Sequence, residues 1–400
     1  MFHSRNPIYR NPTGAVQAHT NIHFKLLVPR EFRCSAARLM VGEEFTKQVK
    51  TLGLFWCGMN GEDHEWWECD FTPEQSGLYF NRFEIDTWRG TLGITSRFGG
   101  ESGIDEFGAP EGECWQLTVF ESQYQIPDWL SGGIMYQIFP DRFYRSGTTK
   151  YNVPQDRYLH QRWGSQPEWR PNHQGEITNS DYFGGDLEGI IQKLDYLQSL
   201  GITCIYLNPI FEAHSNHRYD TADYTKVDPL LGTKEDFKRL CKEANKRGMH
   251  IMLDGVFNHT GSDSIYFNRK GRYQTLGAYQ SQESPYYDWY QFYQWPEQYA
   301  CWWNFETLPN VNETNETYNA YINGTDGVIQ TWLKAGADGW RLDVADELPD
   351  LFLDDITKAA KQVKPTSMIL GEVWEDASNK MAYGQRRRYL LGKQLDSVMN

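Results

Sequence analysis

From Gly133 onward, segments with the pattern of short buried strands alternate with segments that have the apolar spacing of helices. Such an alternation is typical of an α/β protein, with a parallel sheet and helices outside it. The predicted strands cover residues 134–139, 202–207, 250–254, 337–344, 367–372 and 395–399, and the predicted helices cover residues 187–200, 234–246, 323–334 and 349–364. This order predicts a (β/α)8 TIM barrel. Since six strands cannot close it, we expect the 400 residues to be an incomplete protein.

The chain before this alternation has a different pattern. Residues 15–122 contain short β-rich runs broken by Gly, Pro and Asn, with no helical period. The candidate strands are residues 22–28, 48–56, 65–71, 78–85 and 114–120. We therefore predict an N-terminal β-sandwich over residues 1–125 and the barrel over residues 126–400, with the change of domain near Pro127.

Between the third and fourth predicted barrel strands lies a segment too long for an ordinary connection. Residues 261–311 are crowded with Tyr and Trp. Long loops in compact domains are usually functional, so we predict a small inserted subdomain, residues 260–312, that walls a cleft. The alternative is an aromatic cluster that only packs on itself.

Composition excludes several classes of partner. The formal charge of -14 argues against nucleic acid and anionic membranes, and favours a neutral substrate. The N-terminus lacks the apolar core of a signal peptide, and no apolar run reaches membrane-spanning length, so we expect a cytoplasmic protein. The seven cysteines are scattered and without C-x-x-C spacing, which predicts reduced thiols and neither disulfides nor a zinc site.

The predicted strand 337–344 carries two charged residues, and charged residues are rarely buried in a core unless they are paired. Side chains alternate in a strand, so Arg341 and Asp343 point the same way. We expect the guanidinium of Arg341 to keep Asp343 ionised, as a carboxylate nucleophile requires. A structural ion pair is the alternative interpretation.

A second acid, Glu372, ends the next apolar run, one helix-length further along the chain. Successive parallel strands would present Asp343 and Glu372 at the same C-terminal edge of the sheet. Two acids across a cleft are typical of a glycosidase, and a retaining enzyme needs its carboxyl groups about 5 to 5.5 Å apart.

Several strings of residues match one known family. They are Met135-Tyr136-Gln137-Ile138-Phe139-Pro140-Asp141-Arg142-Phe143, Tyr219-Asp220-Thr221-Ala222-Asp223-Tyr224, Asp254-Gly255-Val256-Phe257-Asn258-His259, the segment 339–347 and Glu372-Val373-Trp374. With them the sequence resembles the α-amylase family of glycoside hydrolases, and within it the neopullulanase, maltogenic amylase and cyclomaltodextrinase branch. This resemblance implies retaining hydrolysis of α-1,4 bonds, with α-1,6 bonds as a second option, in maltooligosaccharides, cyclomaltodextrins or pullulan.

The resemblance also implies roles for single residues. Asp343 would be the nucleophile and Glu372 the general acid/base, while Arg341 orients Asp343 and Asp254 braces Arg341. The remaining substrate-binding residues would be His259, Tyr219 as a stacking platform, Asp220 and Trp374. For His259 by itself, a loop histidine bonded to the backbone is the alternative.

Two departures from the family pattern are visible. No His-Asp dipeptide occurs in the sequence, so the third family carboxylate is expected beyond Asn400. The loop after Phe143 lacks the Asn and Asp pairs that bind calcium in relatives, and we therefore predict no metal and no cofactor. The segment 308–312 also differs from the usual motif of the branch, which leaves specificity open.

Other functions remain alternatives. One is a metal-dependent lyase or isomerase in which Asp254, Asp343 and Glu372 hold Mg²⁺, although Arg341 would already supply a cation there. Others are an α-glucan transglycosylase and an inactive carbohydrate-binding fragment. Trp56, Trp66, Trp67 and Trp88 could line a sugar-binding face or pack in the sandwich core. Members of the branch often dimerise, so the resemblance also makes a homodimer one of the expected states of the protein.

Overall fold

The computed structural model describes residues 1–105, 113–175 and 177–399, which form two compact units. The first unit consists of Met1–Gln125 with Ser378–Met381 and Arg386–Lys393, and the second of Ile126–Ala377 with Ala382–Gln385 and Gln394–Asn400. The pattern of strands and helices did not predict that two late segments belong with the first unit. Within the described residues, none of the helices has the length and apolar character needed to span a bilayer.

The first unit is built from strands. They are β1 (Arg10–Asn11), β2 (Val16–Gln17), β3 (Ile22–Pro29), β4 (Ala36–Glu43), β5 (Val49–Asn60), β6 (His64–Phe71), β7 (Gly77–Thr87), β8 (Gly90–Ser96), β9 (Ser102–Ile104) and β10 (Trp115–Phe120). They pair in the order β1-β3-β6-β5-β4-β7-β10-β2, with β8 between β7 and β9. Every pairing is antiparallel except that of β10 with β2.

This sheet folds over on itself around one core. Buried and half-buried residues alternate along β3, as a strand with one face inside requires. Phe24 of β3 and Phe83 of β7 belong to strands far apart in the pairing order, yet their ring centroids are 6.2 Å apart. Both residues lie in a single buried cluster. The two halves of the sheet therefore face each other, as in a sandwich.

The four tryptophans considered for a sugar-binding face differ in environment. Trp67 packs against the core cluster, as the packing alternative predicts. Trp66 is half-buried beside Tyr9, with ring centroids 5.6 Å apart. Trp56 and Trp88 are 54% and 60% exposed. A sugar-binding face would therefore have to use the exposed pair.

The second unit contains shorter strands and most of the helices. Its strands are β11 (Met135–Ile138), β12 (Tyr158–Leu159), β13 (Asp181–Tyr182), β14 (Cys204–Leu207), β15 (Phe211–Ala213), β16 (Thr221–Val227), β17 (His250–Gly255), β18 (Phe292–Gln294), β19 (Gln298–Tyr299), β20 (Gly339–Leu342), β21 (Met368–Gly371), β22 (Met381–Ala382), β23 (Gln385–Arg386) and β24 (Ser397–Val398). The helices are α1 (Leu187–Gln192), α2 (Leu194–Ser199), α3 (Lys234–Asn245), α4 (Glu316–Asn323), α5 (Val328–Ala335) and α6 (Asp350–Val363).

Six of these strands form one parallel sheet in the order β11-β14-β17-β20-β21-β24. Each strand pairs with the next in the sheet, which confirms the predicted parallel barrel strands. Cys204, Tyr206, Met252, Met368 and Leu370 pack together as one buried cluster from three of them. One face of the sheet is therefore a packed interior, as in a barrel.

Helix α4 was not predicted, and two of the predicted helices have other boundaries. The helix predicted over residues 187–200 is interrupted at Lys193, so α1 and α2 are separate. The helix predicted over 323–334 begins later, at Val328, because Gly324 and Gly327 form a turn after α4. Helix α3 matches its prediction, since Thr233 and Asp236 form a capping box at its start.

The long segment after β17 has an aromatic core of its own. The Phe267 ring centroid lies 4.9 Å from that of Tyr290 and 4.7 Å from that of Tyr299. The short hairpin of β18 and β19 belongs to the same segment. These rings therefore pack on one another, as the alternative interpretation of the segment predicts. Trp303, in the same segment, is instead 74% exposed.

Candidate active site

Strand register places the charged residues of three neighbouring strands on one face of the sheet. Asp254 of β17 is opposite Arg341 of β20, which is opposite Leu370 of β21. Asp343 and Glu372 follow two residues after Arg341 and Leu370, so they return to the same side. The edge at which the parallel strands end therefore carries three carboxylates and one guanidinium.

Arg341 lies at the centre of this cluster. Its Nη1 donates to Asp254 Oδ1 at 2.8 Å and to Asp343 Oδ1 at 2.7 Å. Its Nη2 lies 2.8 Å from Glu372 Oε2. Arg341, Asp254 and Asp343 are all buried. One guanidinium therefore holds all three acids, whereas the sequence predicted its contacts to Asp254 and Asp343 alone.

The strand that carries Asp343 ends earlier than predicted. Strand β20 stops at Leu342, and Val344 has a φ of 41°, in the left-handed region. A β-branched residue rarely adopts this conformation, so the turn is strained. The turn aims the Val344 N–H at Glu372 Oε2, 2.7 Å away. The backbone after the candidate nucleophile thus helps to position the candidate acid/base.

Asp254 is fixed by two tyrosines as well as by Arg341. Its Oδ2 accepts hydrogen bonds from the hydroxyls of Tyr206 at 2.5 Å and Tyr219 at 2.9 Å. Asn208 donates in turn to the Tyr219 hydroxyl at 2.9 Å. Burial of Asp254 raises the pKa of its carboxyl, and Arg341 and both hydroxyls oppose that rise. The sequence analysis missed Tyr206 and Asn208, although a buried tyrosine in a barrel strand requires a hydrogen-bond partner.

The pKa of Asp343 depends on more groups than Arg341. Arg341 was predicted to keep this carboxyl ionised, but the pKa of Asp343 is raised well above its usual value. Burial is the largest cause, and the charges of Asp254 and Glu372 add to it, while Arg341 lowers the pKa. One cation cannot compensate three carboxylates in a buried place. Arg341 acts in the predicted direction, but the prediction considered Arg341 and Asp343 as an isolated pair and left out burial and the other two acids.

His259 lies just after β17 and is buried. Its Nδ1 is 3.2 Å from the Asn258 amide, and its Nε2 has no hydrogen-bond partner in the described part of the chain. Burial lowers the pKa of this imidazole to about 4, so it is neutral at pH 7. The His259 ring also stacks on Trp302, with centroids 5.6 Å apart.

Tyr219 and Asp220 lie in the loop between β15 and β16, and both are half-buried. The Asp220 carboxylate accepts hydrogen bonds from the backbone N–H groups of His214 and Ser215, and from the Ser215 hydroxyl. Its oxygens are therefore engaged within the loop that presents Tyr219. Trp374, two residues after Glu372, is 65% exposed and offers a free aromatic face.

The inserted segment adds residues that the sequence analysis did not assign to the site. Glu347 Oε1 accepts hydrogen bonds from the indole N–H of Trp302 at 3.1 Å and of Trp303 at 3.4 Å. Because Glu347 follows Asp343 by four residues, the insert is joined to the same strand end. The sequence showed the tryptophans without showing this carboxylate as their partner.

Three observations describe the acids that could be considered as metal ligands. Over residues 1–105, 113–175 and 177–399, no three His, Cys, Asp or Glu residues are grouped so as to hold a metal ion. The guanidinium of Arg341 lies among the three acids that the lyase alternative assigned to Mg²⁺. In the loop after Phe143, the Lys150 ammonium lies 2.8 Å from the buried Asp186 carboxylate.

The sequence model of the protein family described as alpha amylase, catalytic domain, matches residues 137–400 of this chain. The chain belongs to the α-amylase family. In this family member the N-terminal unit is an antiparallel sheet domain, and the parallel strands belong to the family's (β/α)8 barrel.

Curated relatives of this α-amylase family chain carry several names. It is 36% identical to an amylopullulanase of Thermoanaerobacterium saccharolyticum over 99% of its own length and 33% of the relative's. It is 34% identical to neopullulanase 2 of Thermoactinomyces vulgaris and 38% to a cyclomaltodextrinase of Geobacillus thermopakistaniensis, over 75% and 72% of the chain. The chain thus spans about a third of the amylopullulanase, and 47% and 44% of the other two relatives.

Solved structures agree with the assignment of the chain to the α-amylase family. A cyclomaltodextrinase covers 100% of the chain at a TM-score of 0.59 and 25% identity, and the chain spans 63% of it. The type III pullulan hydrolase from Thermococcus kodakarensis covers 100% at 0.58 and 29% identity, and the chain spans 64% of it. The α-amylase family chain is therefore similar in fold to these enzymes.

Proposed function

We propose that this protein is a retaining glycoside hydrolase of the EC 3.2.1 class that cleaves α-glucosidic bonds. The observation that carries the proposal is the contact of one guanidinium with Asp254, Asp343 and Glu372. Retaining enzymes need two carboxyl groups about 5 to 5.5 Å apart, and two acids bonded to the same guanidinium are close neighbours. An ordinary structural ion pair would not require three acids around one cation.

In the proposed mechanism Asp343 attacks the anomeric carbon while Glu372 protonates the leaving glycosidic oxygen. A covalent glycosyl-enzyme forms, and Glu372, now a base, removes a proton from the water that hydrolyses it. Arg341 balances the charge that Asp343 carries before attack, and Asp254, held by two tyrosines, fixes Arg341. The raised pKa of Asp343 means that the ionised nucleophile is lost readily as the pH falls.

The substrate we propose is an α-glucan: a maltooligosaccharide, a cyclomaltodextrin or pullulan. The names of the relatives support this class, and α-1,4 bonds are the principal target with α-1,6 bonds as a second one. Tyr219 and Trp374 would stack on glucose rings, and the unpartnered Nε2 of His259 would bond a sugar hydroxyl. We propose for Asp220 a supporting role, since its oxygens hold the loop of Tyr219.

The remaining proposals concern the parts around the site. Residues 1–125 would form a carbohydrate-binding-like domain that uses exposed Trp56 and Trp88, residues 126–400 the catalytic barrel, and residues 260–312 an inserted subdomain that walls the cleft. We also propose a homodimer in the cytoplasm. Size-exclusion chromatography with light scattering tests the oligomer, and a monomer at micromolar concentration contradicts it.

A second candidate is a carbohydrate-binding protein without turnover. The observation in its favour is that the sequence contains no His-Asp dipeptide, which carries the third family carboxylate. Transglycosylation is a further variant of the first proposal, because another sugar can replace water as the acceptor.

One experiment separates these candidates. Maltoheptaose, β-cyclodextrin and pullulan are incubated with the protein, the products are resolved by chromatography, and the anomeric form of the first product is read by proton NMR. Retaining hydrolysis predicts short products of α configuration, whereas transglycosylation adds products longer than the substrate. Products of β configuration contradict the mechanism. Binding without any product supports the carbohydrate-binding alternative.

A further inference from the structure

The first unit contains a pocket lined by three arginines, remote in sequence from the candidate active site. Its volume is about 900 Å³, and Arg5, Arg10 and Arg97 line it together with backbone of the turn Phe98–Gly100. Glu113 also lines it. Three guanidinium groups in one pocket of a protein with a formal charge of -14 are unexpected.

Arg10 is the most unusual of the three. It is 4% exposed, and its Nη1 and Nη2 donate to the backbone carbonyls of Gln116 and Gly14, each at 3.2 Å. Its Nε has no hydrogen-bond partner in the described residues. A guanidinium has five N–H donors, so most of those of Arg10 lack an acceptor in the part of the chain that the structure describes.

Charge compensation for Arg10 is missing as well. Burial lowers its pKa, and no carboxylate among residues 1–105, 113–175 and 177–399 raises it. A buried charge without an ionic partner is costly, so proteins usually pair it. Arg97 differs, because its Nη2 is bonded to Asp105 at 2.9 Å. An anion that entered the pocket would meet the uncompensated charge of Arg10.

One wall of the pocket is a turn that packs closely against Ser4 and Arg5. Gly100 has a φ of 91°, and a Cβ there would lie 2.7 Å from Ser4 Oγ and 3.4 Å from Arg5 Cγ. The turn therefore requires glycine where the chain start packs against it. Arg5 is exposed at the rim and Arg10 buried deeper, so the two can approach one ligand from two depths.

We propose that this pocket binds a phosphate group, as free phosphate or on a phosphorylated sugar, through the guanidinium groups of Arg5, Arg10 and Arg97. Guanidinium forks match the oxygens of phosphate in bidentate geometry, and these bonds are strong where water is excluded. A neutral sugar would leave the charge of Arg10 uncompensated. The pocket is lined by none of the residues assigned to the glucan site, and the proposal does not depend on the function proposed above.

The test is isothermal titration calorimetry of the protein with inorganic phosphate at constant ionic strength, set with NaCl. We expect saturable binding that weakens at least about tenfold in Arg5→Gln and in Arg10→Gln, because each loses charge-assisted hydrogen bonds. Arg89→Gln, an exposed arginine of the same unit outside the pocket, should bind as the unchanged protein does. No saturable binding, or binding by Arg5→Gln and Arg10→Gln that is as tight as binding by the unchanged protein, would overturn the proposal.

Two further measurements complete the test. Circular dichroism shows whether Arg10→Gln folds, and if it does not, Arg5→Gln at the exposed rim decides the result. Glucose 1-phosphate is titrated beside inorganic phosphate and glucose. Tighter binding of glucose 1-phosphate than of phosphate assigns a phosphorylated sugar, and equal binding assigns free phosphate. Binding of glucose as tight as that of its phosphate contradicts the proposal. Since glucan turnover is not measured, failure here leaves the proposed hydrolase untouched.

Discussion

The Nη2 atom of Arg341 lies 2.8 Å from Oε2 of Glu372, a residue on the neighbouring strand end. The same guanidinium contacts Asp343, so the candidate nucleophile and the candidate acid/base share one cation. Protonation of either acid changes the charge that the other experiences. The two acids are thus coupled through Arg341.

Asp343→Asn should abolish turnover. The amide cannot form the glycosyl ester, so we expect kcat on maltoheptaose to fall at least about 10³-fold, with stability almost unchanged. Reducing-sugar assays measure the first quantity and thermal unfolding the second. Asp195→Asn, which changes a carboxylate that is 82% exposed, is the matched control. If Asp343→Asn retains most of its kcat, the nucleophile is another residue.

Glu372→Gln should affect substrates according to their leaving groups. Loss of a general acid costs about 10²- to 10⁴-fold for a glucan, whose leaving oxygen needs a proton. α-Maltosyl fluoride needs none, so its first step should be nearly unimpaired. The two substrates are compared by steady-state kinetics and by the burst of released fluoride. An equal loss on both would mean that Glu372 is not the proton donor.

Arg341→Lys should impair both activity and stability. An ammonium is a single point charge and cannot contact Asp254, Asp343 and Glu372 in the geometry of the guanidinium. We expect a loss of about 3 to 5 kcal/mol in the free energy of unfolding, since buried carboxylates lose their partner. Urea unfolding measures it. Arg239→Lys, at a half-exposed ion pair, serves as the control and should cost less than about 1 kcal/mol. Equal losses in both variants would contradict the central role of Arg341.

Glu313→Gln should change how stability depends on pH. Burial raises the pKa of Glu313 to about 8, and Glu347 adds to the rise. A carboxyl whose folded-state pKa is raised contributes stability that is present below its unfolded pKa and lost as the pH rises through about 8. We therefore expect the Tm of Glu313→Gln to fall less than that of the unchanged protein between pH 5 and pH 9, a range chosen around that pKa. Glu316→Gln, at an exposed position nearby, should follow the unchanged protein. Parallel curves for all three proteins would refute a buried neutral Glu313.

Trp374→Ala should weaken substrate binding more than chemistry. Its ring is 65% exposed, so removal should leave stability within about 0.5 kcal/mol. Loss of one stacking contact should raise KM about 3- to 10-fold. Trp169→Ala removes a ring that is 61% exposed elsewhere in the second unit and should leave KM unchanged. If both variants behave alike, Trp374 is not part of the glucan site.

Much of the second unit could be predicted from local pattern. Strand and helix periodicity located the six parallel strands, because an element buried on both faces needs a continuous apolar run. Boundaries were harder to predict. After the early end of β20, the Val344 N–H donates to Glu372 on the neighbouring strand end, a long-range bond that periodicity does not report. In the first unit the longer strands β4 and β8 were not predicted. Strand β4 contains Arg38, whose charge is paired with Asp86 on the neighbouring strand.

For the site, the sequence by itself determined which residues stand at the strand ends and that Arg341 and Asp343 share a face, since alternation in a strand is a local property. Only the tertiary structure decided that Glu372 reaches the same guanidinium, that Tyr206 and Tyr219 hold Asp254, and that Val344 takes a left-handed turn. It also decided that burial raises the pKa of Asp343. The physical reason is that charge coupling and desolvation depend on distances between strands, which only the folded chain sets.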